Sequence, residues 1–347
     1  MVWLWAGFIL FILLLLALDL GVFHRHAHVV EMKEALAWSA VWVGMAVLFS
    51  VFIYFAYEHH WFGLGTAGEK HDGWTAVVTY FSGYVLEKSL SVDNVFVIAL
   101  IFTYFKVPPA SQHRVLYWGI LGALIMRGLM ILVGALLIAR FQWVLYIFGA
   151  FLIFTGARML LGHDEPDPKD NPLVRFARGF FPITEDFVGQ RLAVRVGGKW
   201  SLTPLALALL VVESTDLIFA VDSIPAIFAL TTDPFLIFTS NVFAILGLRS
   251  LYFALADIMD RFHYLKLSLA MLLALIGVKM LLNDFLHDIP GMTYYTLGAI
   301  AVILTAGIVA SLVRAQHLSS SAGQNPVIQQ EHKAEDDLRV ANEPDVS

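Results

Sequence analysis

Two acidic motifs lie within apolar stretches that are long enough to cross a bilayer. The first motif contains Glu87 and Asp93 and the second contains Asp216 and Asp222, so each has two carboxylates six residues apart. A charged side chain at the bilayer centre costs about 2.5 to 3.5 kcal/mol on insertion scales, and such residues therefore usually face a cavity and serve transport. Glu213 lies three residues before Asp216 and extends the second motif. The motifs predict a site for a cation or a proton inside the membrane.

Polar side chains beside these acids follow a helical spacing. Glu87, Ser91 and Asn94 lie at positions i, i+4 and i+7, which places their oxygen atoms on one face of a helix. Asp216 and Ser223 repeat the two ends of this stripe. Hard cations prefer carboxylate, amide and hydroxyl oxygens as ligands, so the two stripes predict an oxygen-rich cation site.

The remaining acid of each motif lies off its stripe. Asp93 and Asp222 are about 120° away from the stripes on an ideal helix. They can join the other ligands only where the helix is broken or where a neighbouring helix covers that side. Pro225 predicts a break in the second motif, because a proline inside a helix frees the carbonyl four residues earlier, here that of Val221.

Basic residues in the spans offer the acids an alternative role, as members of structural ion pairs. The basic residues of the spans are Lys88, Arg127, Arg158, Arg249 and Lys279. They are outnumbered by the acids, which are Asp19, Glu87, Asp93, Glu213, Asp216, Asp222 and Asp257. Arg127 and Arg249 lie near the middle of spans, and we expect them to be counter-charges to the site.

The predicted ligand set combines the acids with the neighbouring amides and hydroxyl. Its members are Glu87, Asp93, Asn94, Glu213, Asp216, Asp222, Ser223 and Asn241. For Asn241, a hydrogen bond between helices is an equally good interpretation, since Asn is common at helix contacts in membranes.

The composition restricts the class of protein and of cation. The chain has 347 residues, of which 59% are hydrophobic and only 14% are charged, and its mean hydropathy is +0.75. These values are typical of an all-α protein with many membrane spans. The net charge of −6 does not favour nucleic acid as a partner. The absence of cysteine excludes disulfides and thiolate ligands, which favours hard cations such as Mn, Mg or Ca.

Nine apolar runs of about 20 residues could each cross the hydrocarbon core. They lie near residues 3–23, 38–57, 75–104, 115–137, 143–162, 203–229, 236–258, 264–284 and 293–314. With the N-terminus outside, the inner loops contain most of the loop lysines and arginines, whereas the outer loops contain only Lys70 and Arg140. The positive-inside rule therefore predicts an outer N-terminus and a cytoplasmic C-terminus.

An internal repeat extends beyond the acidic motifs. Residues 125–129 parallel residues 247–251, and residues 155–161 parallel residues 276–282. Spans three to five thus match spans six to eight, and because three is odd, the second copy enters the membrane from the opposite side. This pattern predicts inverted repeats with a binding site at the midplane between them.

The repeat divides the chain into segments. We expect a transporter domain over 1–315, with repeat A over about 75–162, a cytoplasmic loop over about 163–202 and repeat B over about 203–284. Gly197 and Gly198 in the loop suit a short hairpin turn. The polar residues 316–347 predict a disordered cytoplasmic tail.

Three segments resemble the TerC family of bacterial integral membrane proteins, and in particular its Alx branch. They are residues 87–96, 219–228 and 239–249. The resemblance covers roughly residues 1–315, and it implies a bacterial inner-membrane protein that exports manganese and responds to alkaline pH. The acidic residues of the family motifs correspond to Glu87, Asp93, Glu213, Asp216 and Asp222, and Asn94, Ser223 and Asn241 lie beside them.

The sequence and the resemblance together predict an exporter of Mn(II) that exchanges the metal for protons. Its partners would be Mn(II), protons and the lipid bilayer, with no bound cofactor. Two alternatives remain open at this point, a membrane scaffold or tellurite-resistance protein without transport and a transporter of Ca(II) or of protons alone. The chain has no phosphate-binding loop, nucleophile elbow or zinc-protease helix, so it is not predicted to be an enzyme.

Overall fold

The computed structural model describes residues 2–18, 32–66, 71–161, 174–175, 179–184, 186–196, 198–255, 264–286, 289 and 291–323. This part of the chain is mostly helical, as predicted, and contains one two-stranded hairpin. The elements are α1 (Val2–Leu18), α2 (Met32–Glu58), α3 (Gly73–Tyr104), α4 (Pro109–Arg140), α5 (Val144–Leu160), β1 (Ala193–Val196), β2 (Lys199–Leu202), α6 (Pro204–Phe228), α7 (Pro234–Leu246), α8 (Leu248–Leu255), α9 (Leu265–Leu281), α10 (Asn283–Leu286) and α11 (Met292–Gly323).

Each of the nine predicted spans coincides with one helix or with a pair of helices. Within the described ranges, α2, α4, α6 and α11 are long and apolar enough to cross a membrane, and the bent pair α7 and α8 would make a fifth span. Helices α1 and α5 are apolar but have only 17 residues each. The chain therefore has several membrane-spanning helices, while the number nine stays a prediction.

Several helices begin at an aspartate that caps the helix or at a proline in the first turn. Asp72 caps α3 by accepting a hydrogen bond of 2.8 Å from the Thr75 amide. The hydrogen bonds from Thr75, the hydroxyl first and the amide second, hold the pKa of Asp72 below its ordinary value. Asp233 caps α7 in the same way, and α4, α6 and α7 each begin with a proline.

The helices of the two predicted repeats pack against each other in a cross-wise pattern. Helix α3 packs on α6 and α7, α4 packs on α6, and α5 packs on α9. The α5–α9 contact is close because glycines line it. A Cβ atom on Gly156 would lie 2.8 Å from the Ala270 carbonyl oxygen, and one on Gly277 would lie 2.7 Å from the Gly149 carbonyl oxygen.

The hairpin before α6 confirms the predicted turn. Strands β1 and β2 are antiparallel, Val196 lies opposite Lys199, and Gly198 has a φ of +83°, which glycine tolerates without strain. The earlier part of the predicted loop, residues 163–173, lies outside the described residues.

The last helix extends beyond the predicted end of the transporter domain. Helix α11 continues to Gly323, past the expected start of the polar tail at residue 316. A helix that begins in an apolar span can propagate into such residues, since adding a residue costs little once the helix exists. Residues 324–347 lie outside the described part of the chain.

Candidate functional site

A buried arginine lies at the meeting point of the two acidic motifs. Arg127 on α4 is 2% exposed and donates a hydrogen bond to the carboxylate of Glu87 on α3. Its Nη2 and Nε atoms donate to the two carboxylate oxygens of Asp216 on α6, at 3.0 and 3.3 Å. Its Nη1 atom also lies 3.2 Å from the Ser223 hydroxyl oxygen. One guanidinium group therefore joins an acid from each motif.

Two asparagines complete this arrangement, which we call the Arg127 cluster: Glu87, Asn94, Arg127, Asp216, Ser223 and Asn241. The side-chain amide of Asn94 lies 3.4 Å from Asp216 Oδ1, and that of Asn241 lies 3.0 Å from Glu87 Oε2. The Asn241 Oδ1 atom is buried and has no hydrogen-bond partner among the described residues. A buried oxygen of this kind is uncommon in proteins, and here it is an acceptor beside the two acids.

Glu213 lies beside the Arg127 cluster. It is one helical turn before Asp216, and its carboxylate lies directly against the backbone of α4 at Gly122, where any Cβ atom would overlap it. Gly122 therefore leaves the space that Glu213 occupies. The sequence pattern did not indicate this role, because the glycine is on a different helix.

The second acid of the second motif faces another helix. The Thr155 hydroxyl on α5 donates to Asp222 at 3.1 Å, so Asp222 lies outside the Arg127 cluster. The predicted break at Pro225 was wrong, since α6 is helical from Pro204 to Phe228. Pro225 lies in the last turn of α6, where a missing amide removes only one hydrogen bond near the helix end.

Two further predicted residues lie on α3 and α8. Asp93 is partly buried on α3, and Arg249 is 5% exposed on α8. The hydrogen bonds of Arg127 do not extend to either residue.

Comparison with known proteins identifies the family. The sequence profile described as the Integral membrane protein TerC family matches residues 72–319. The chain belongs to the TerC family. The predicted resemblance is thus confirmed, and the chain is an integral membrane protein with several spans.

The relatives of this TerC-family protein align along most of its length. The "Uncharacterized membrane protein STKORF319" of Myxococcus xanthus is 47% identical over 326 residues, which is 94% of this chain and 97% of the relative. The "Putative membrane-bound redox modulator Alx" of Escherichia coli strain K12 is 49% identical over 286 residues, or 82% of this chain and 87% of the relative. No solved structure matches the chain.

The side chains of this TerC-family site are suited to binding positive charge. Its two paired carboxylates come from α3 and α6, and both contact the same cation, the guanidinium of Arg127. Among the described residues, no three acidic or histidine side chains are arranged as they stand to hold a metal ion. The oxygens of Glu87 and Asp216 are thus already in contact with a positive charge.

Proposed function

We propose that this TerC-family protein exports a divalent cation, Mn(II), across the bacterial inner membrane in exchange for protons. The observation that carries the proposal is the shared contact of Glu87 and Asp216 with Arg127. A buried carboxylate, that of Glu87, and a partly buried one, that of Asp216, come from different helices and converge on one positive charge. A dication brings twice that charge to the same oxygens, so it can replace the guanidinium when Arg127 swings aside.

The ligands beside the carboxylates support a cation as the substrate. The buried Asn241 Oδ1 and the Ser223 hydroxyl lie next to the two acids, and Glu213 adds a third carboxylate one turn away. With oxygen donors and no thiolate, the site suits a hard cation. The choice of Mn(II) over Mg(II) or Ca(II) comes from the resemblance to the Alx branch, because these ligands would suit all three ions.

The packing of the helices supports an inverted repeat around the site. Gly156 and Ala270 are in contact, and so are their partners in the repeat alignment, Gly277 and Gly149. Exchanging the two copies thus converts one contact into the other, as a pseudo-two-fold axis requires. In transporters built from inverted repeats, substrates bind near the midplane between the copies.

Proton exchange follows from the chemistry of the carboxylates. A carboxylate binds a metal when ionised and releases it when protonated. A site that gives up Mn(II) on one side can therefore return across the membrane with protons bound. The Alx relatives are named redox modulators. Because this chain has no cysteine, we infer that any redox effect of its own would come from moving a redox-active metal and not from thiol exchange.

The experiment uses proteoliposomes that contain only this protein, a metal indicator and a pH-sensitive dye. A Mn(II) gradient should drive metal flux together with an opposite proton flux. Asp216→Asn should abolish both, since the amide keeps the shape but loses the charge that offsets the dehydration of a dication. The matched control is Asp186→Asn, which makes the same change at an exposed loop residue.

Three results would contradict parts of this proposal. Normal flux through Asp216→Asn would show that the Arg127 cluster is not the site. Manganese flux without proton movement would leave a uniporter. No flux of either ion in the wild-type protein would favour a scaffold, with the buried ion pairs structural.

A further inference from the structure

The span formed by α7 and α8 is broken in its interior. Helix α7 ends at Leu246, α8 begins at Leu248, and their axes differ by 40°. The equivalent span of the first repeat, α4, is helical without interruption from Pro109 to Arg140. In the repeat alignment, the position of Gly247 is occupied in α4 by Ile125.

A lysine from α3 contacts the helix end that the break creates. The Lys88 Nζ atom donates to the Ala244 carbonyl oxygen at 3.3 Å. The last carbonyls of a helix lack amide partners and have a partial negative charge, so an ammonium group stabilises them. A Cβ atom on Gly247 would lie 2.6 Å from Nζ and 3.4 Å from the Cβ atom of Trp42. Glycine is therefore what leaves room for the lysine.

The repeat provides an internal control for this pairing. The residue that aligns with Lys88 in the second motif is Leu217, which is 38% exposed. Helix α3, which has the lysine, thus packs on the broken pair α7 and α8. Helix α6, which has the leucine, packs on the continuous helix α4. The co-occurrence links Lys88 to the break at Gly247.

The lysine also connects the Arg127 cluster to α8. Glu87, the residue before Lys88, accepts a hydrogen bond from Asn241, which is one turn before Ala244 on α7. Neighbouring side chains of α3 therefore hold α7 at two successive turns. Beyond the break, Leu248 and Tyr252 pack in an apolar cluster.

This apolar cluster lies on one side of the Arg127 cluster. It includes Ile98 on α3, one turn beyond Asn94 on the same helix face, and Val211 on α6, before Glu213. By the proposed topology, this is the cytoplasmic side. An ion from the cytoplasm would have to pass these residues to reach Glu87 and Asp216.

From these contacts we infer that Lys88 is a positioning residue that keeps the cytoplasmic side closed. By holding the carbonyl end of α7, its ammonium group fixes the direction of α8 and with it the apolar cluster over the site. Withdrawal of Lys88 frees α8 to move and opens the path to the carboxylates. The role of this opening in transport rests on the proposed function. The contact of Lys88 with Ala244 and the movement of α8 do not depend on it.

The test is the reactivity of a cysteine in the apolar cluster. Ile98→Cys is made in this cysteine-free chain, where Ile98 is 7% exposed, and the purified protein in nanodiscs is treated with a water-soluble maleimide. Adding Lys88→Met should raise the labelling rate about tenfold, the effect of losing one hydrogen bond from a charged group on an opening equilibrium. Gly247→Ala should act in the same direction, because its methyl group displaces the ammonium.

Two controls complete the experiment. Lys88→Arg keeps a charged donor, and Leu217→Met makes an apolar change at the repeat-equivalent position, so both should label at nearly the wild-type rate. An unchanged rate in Lys88→Met would overturn the inference, and if that variant fails to fold, an unchanged rate in Gly247→Ala would do so. Labelling needs no transport, so a wild-type protein without flux would contradict the proposed function and leave this result intact.

Discussion

At the scale of single residues, Arg127 is the central residue of the site, because it forms ion pairs with both Glu87 and Asp216. A buried ion pair is not by itself a strong source of stability, because removing both charges from water costs nearly as much as their attraction returns. Removing one partner is different, since the remaining charges are then buried without compensation. Arg127 neutralises Glu87 and Asp216 at once, so both carboxylates depend on it.

We therefore predict that Arg127→Gln lowers the free energy of unfolding by about 3–5 kcal/mol, the usual effect of breaking a buried pair. Denaturant unfolding of the purified protein in detergent measures the change. Arg140→Gln is the matched control, because it makes the same substitution at an exposed position of the same helix. Arg127→Gln combined with Glu87→Gln should regain part of the loss, and a single variant as stable as the wild type would contradict the burial of these charges.

The same variant distinguishes a cation site from a structural ion pair. With Arg127 absent, no positively charged member of the cluster competes with a metal for Glu87 and Asp216. A ligand that binds only the folded state raises stability with its concentration, so added Mn(II) should stabilise Arg127→Gln more than the wild-type protein. The structural interpretation expects no such difference.

Spacing along the chain predicted one part of this site and missed another. The stripe of Glu87 and Asn94 follows from the helical period, and both residues do contact the group around Arg127. The roles of Gly122 and Thr155 could not be predicted, because they depend on which helices are neighbours. Asp222 shows the same limit, since its partner on α5 is 67 residues away in sequence.

At the scale of elements, the break in the membrane helices came at a different place from the one expected. Pro225 predicted a break in α6, yet the interruption lies at Gly247 between α7 and α8. A proline in the final turn disturbs few hydrogen bonds, whereas a glycine beside Lys88 exposes a helix end to a cation. The deciding contact comes from α3, so the sequence of α7 alone did not contain the signal.

The contact between α5 and α9 gives a prediction about the repeat itself. Gly156→Ala and Gly277→Ala should each lower stability by about 1–3 kcal/mol, the range for overpacking of a tight contact, because each methyl group would meet backbone of the opposite helix. Thermal unfolding in detergent measures both. Gly298→Ala on α11 is the control, since nothing lies within 4 Å of its Cβ position. If neither repeat-related variant is less stable than the control, the helices are not as close as described.

At the scale of the whole molecule, the orientation in the membrane connects the repeat to transport. Two consecutive repeats in one chain have opposite orientations in the membrane only if each repeat crosses the membrane an odd number of times. The cross-wise packing of α3 with α7 and of α4 with α6 agrees with such an exchange of copies. The inverted repeat therefore depends on which side of the membrane each loop lies.

We predict that the hairpin before α6 is cytoplasmic and that residue 69 is outside, since basic loops stay on the inner side. Lys199→Cys and Glu69→Cys are suitable single-cysteine variants, because the chain has no other cysteine and Lys199 is exposed on β2. In intact spheroplasts, an impermeant maleimide should label the cysteine at position 69 at once and the cysteine at position 199 only after permeabilisation. Labelling of both from outside would place the two loops on one side, which an odd number of spans between them does not allow. The inverted repeat would then be wrong. So would the idea that the site of Glu87 and Asp216 opens in turn to each side of the membrane.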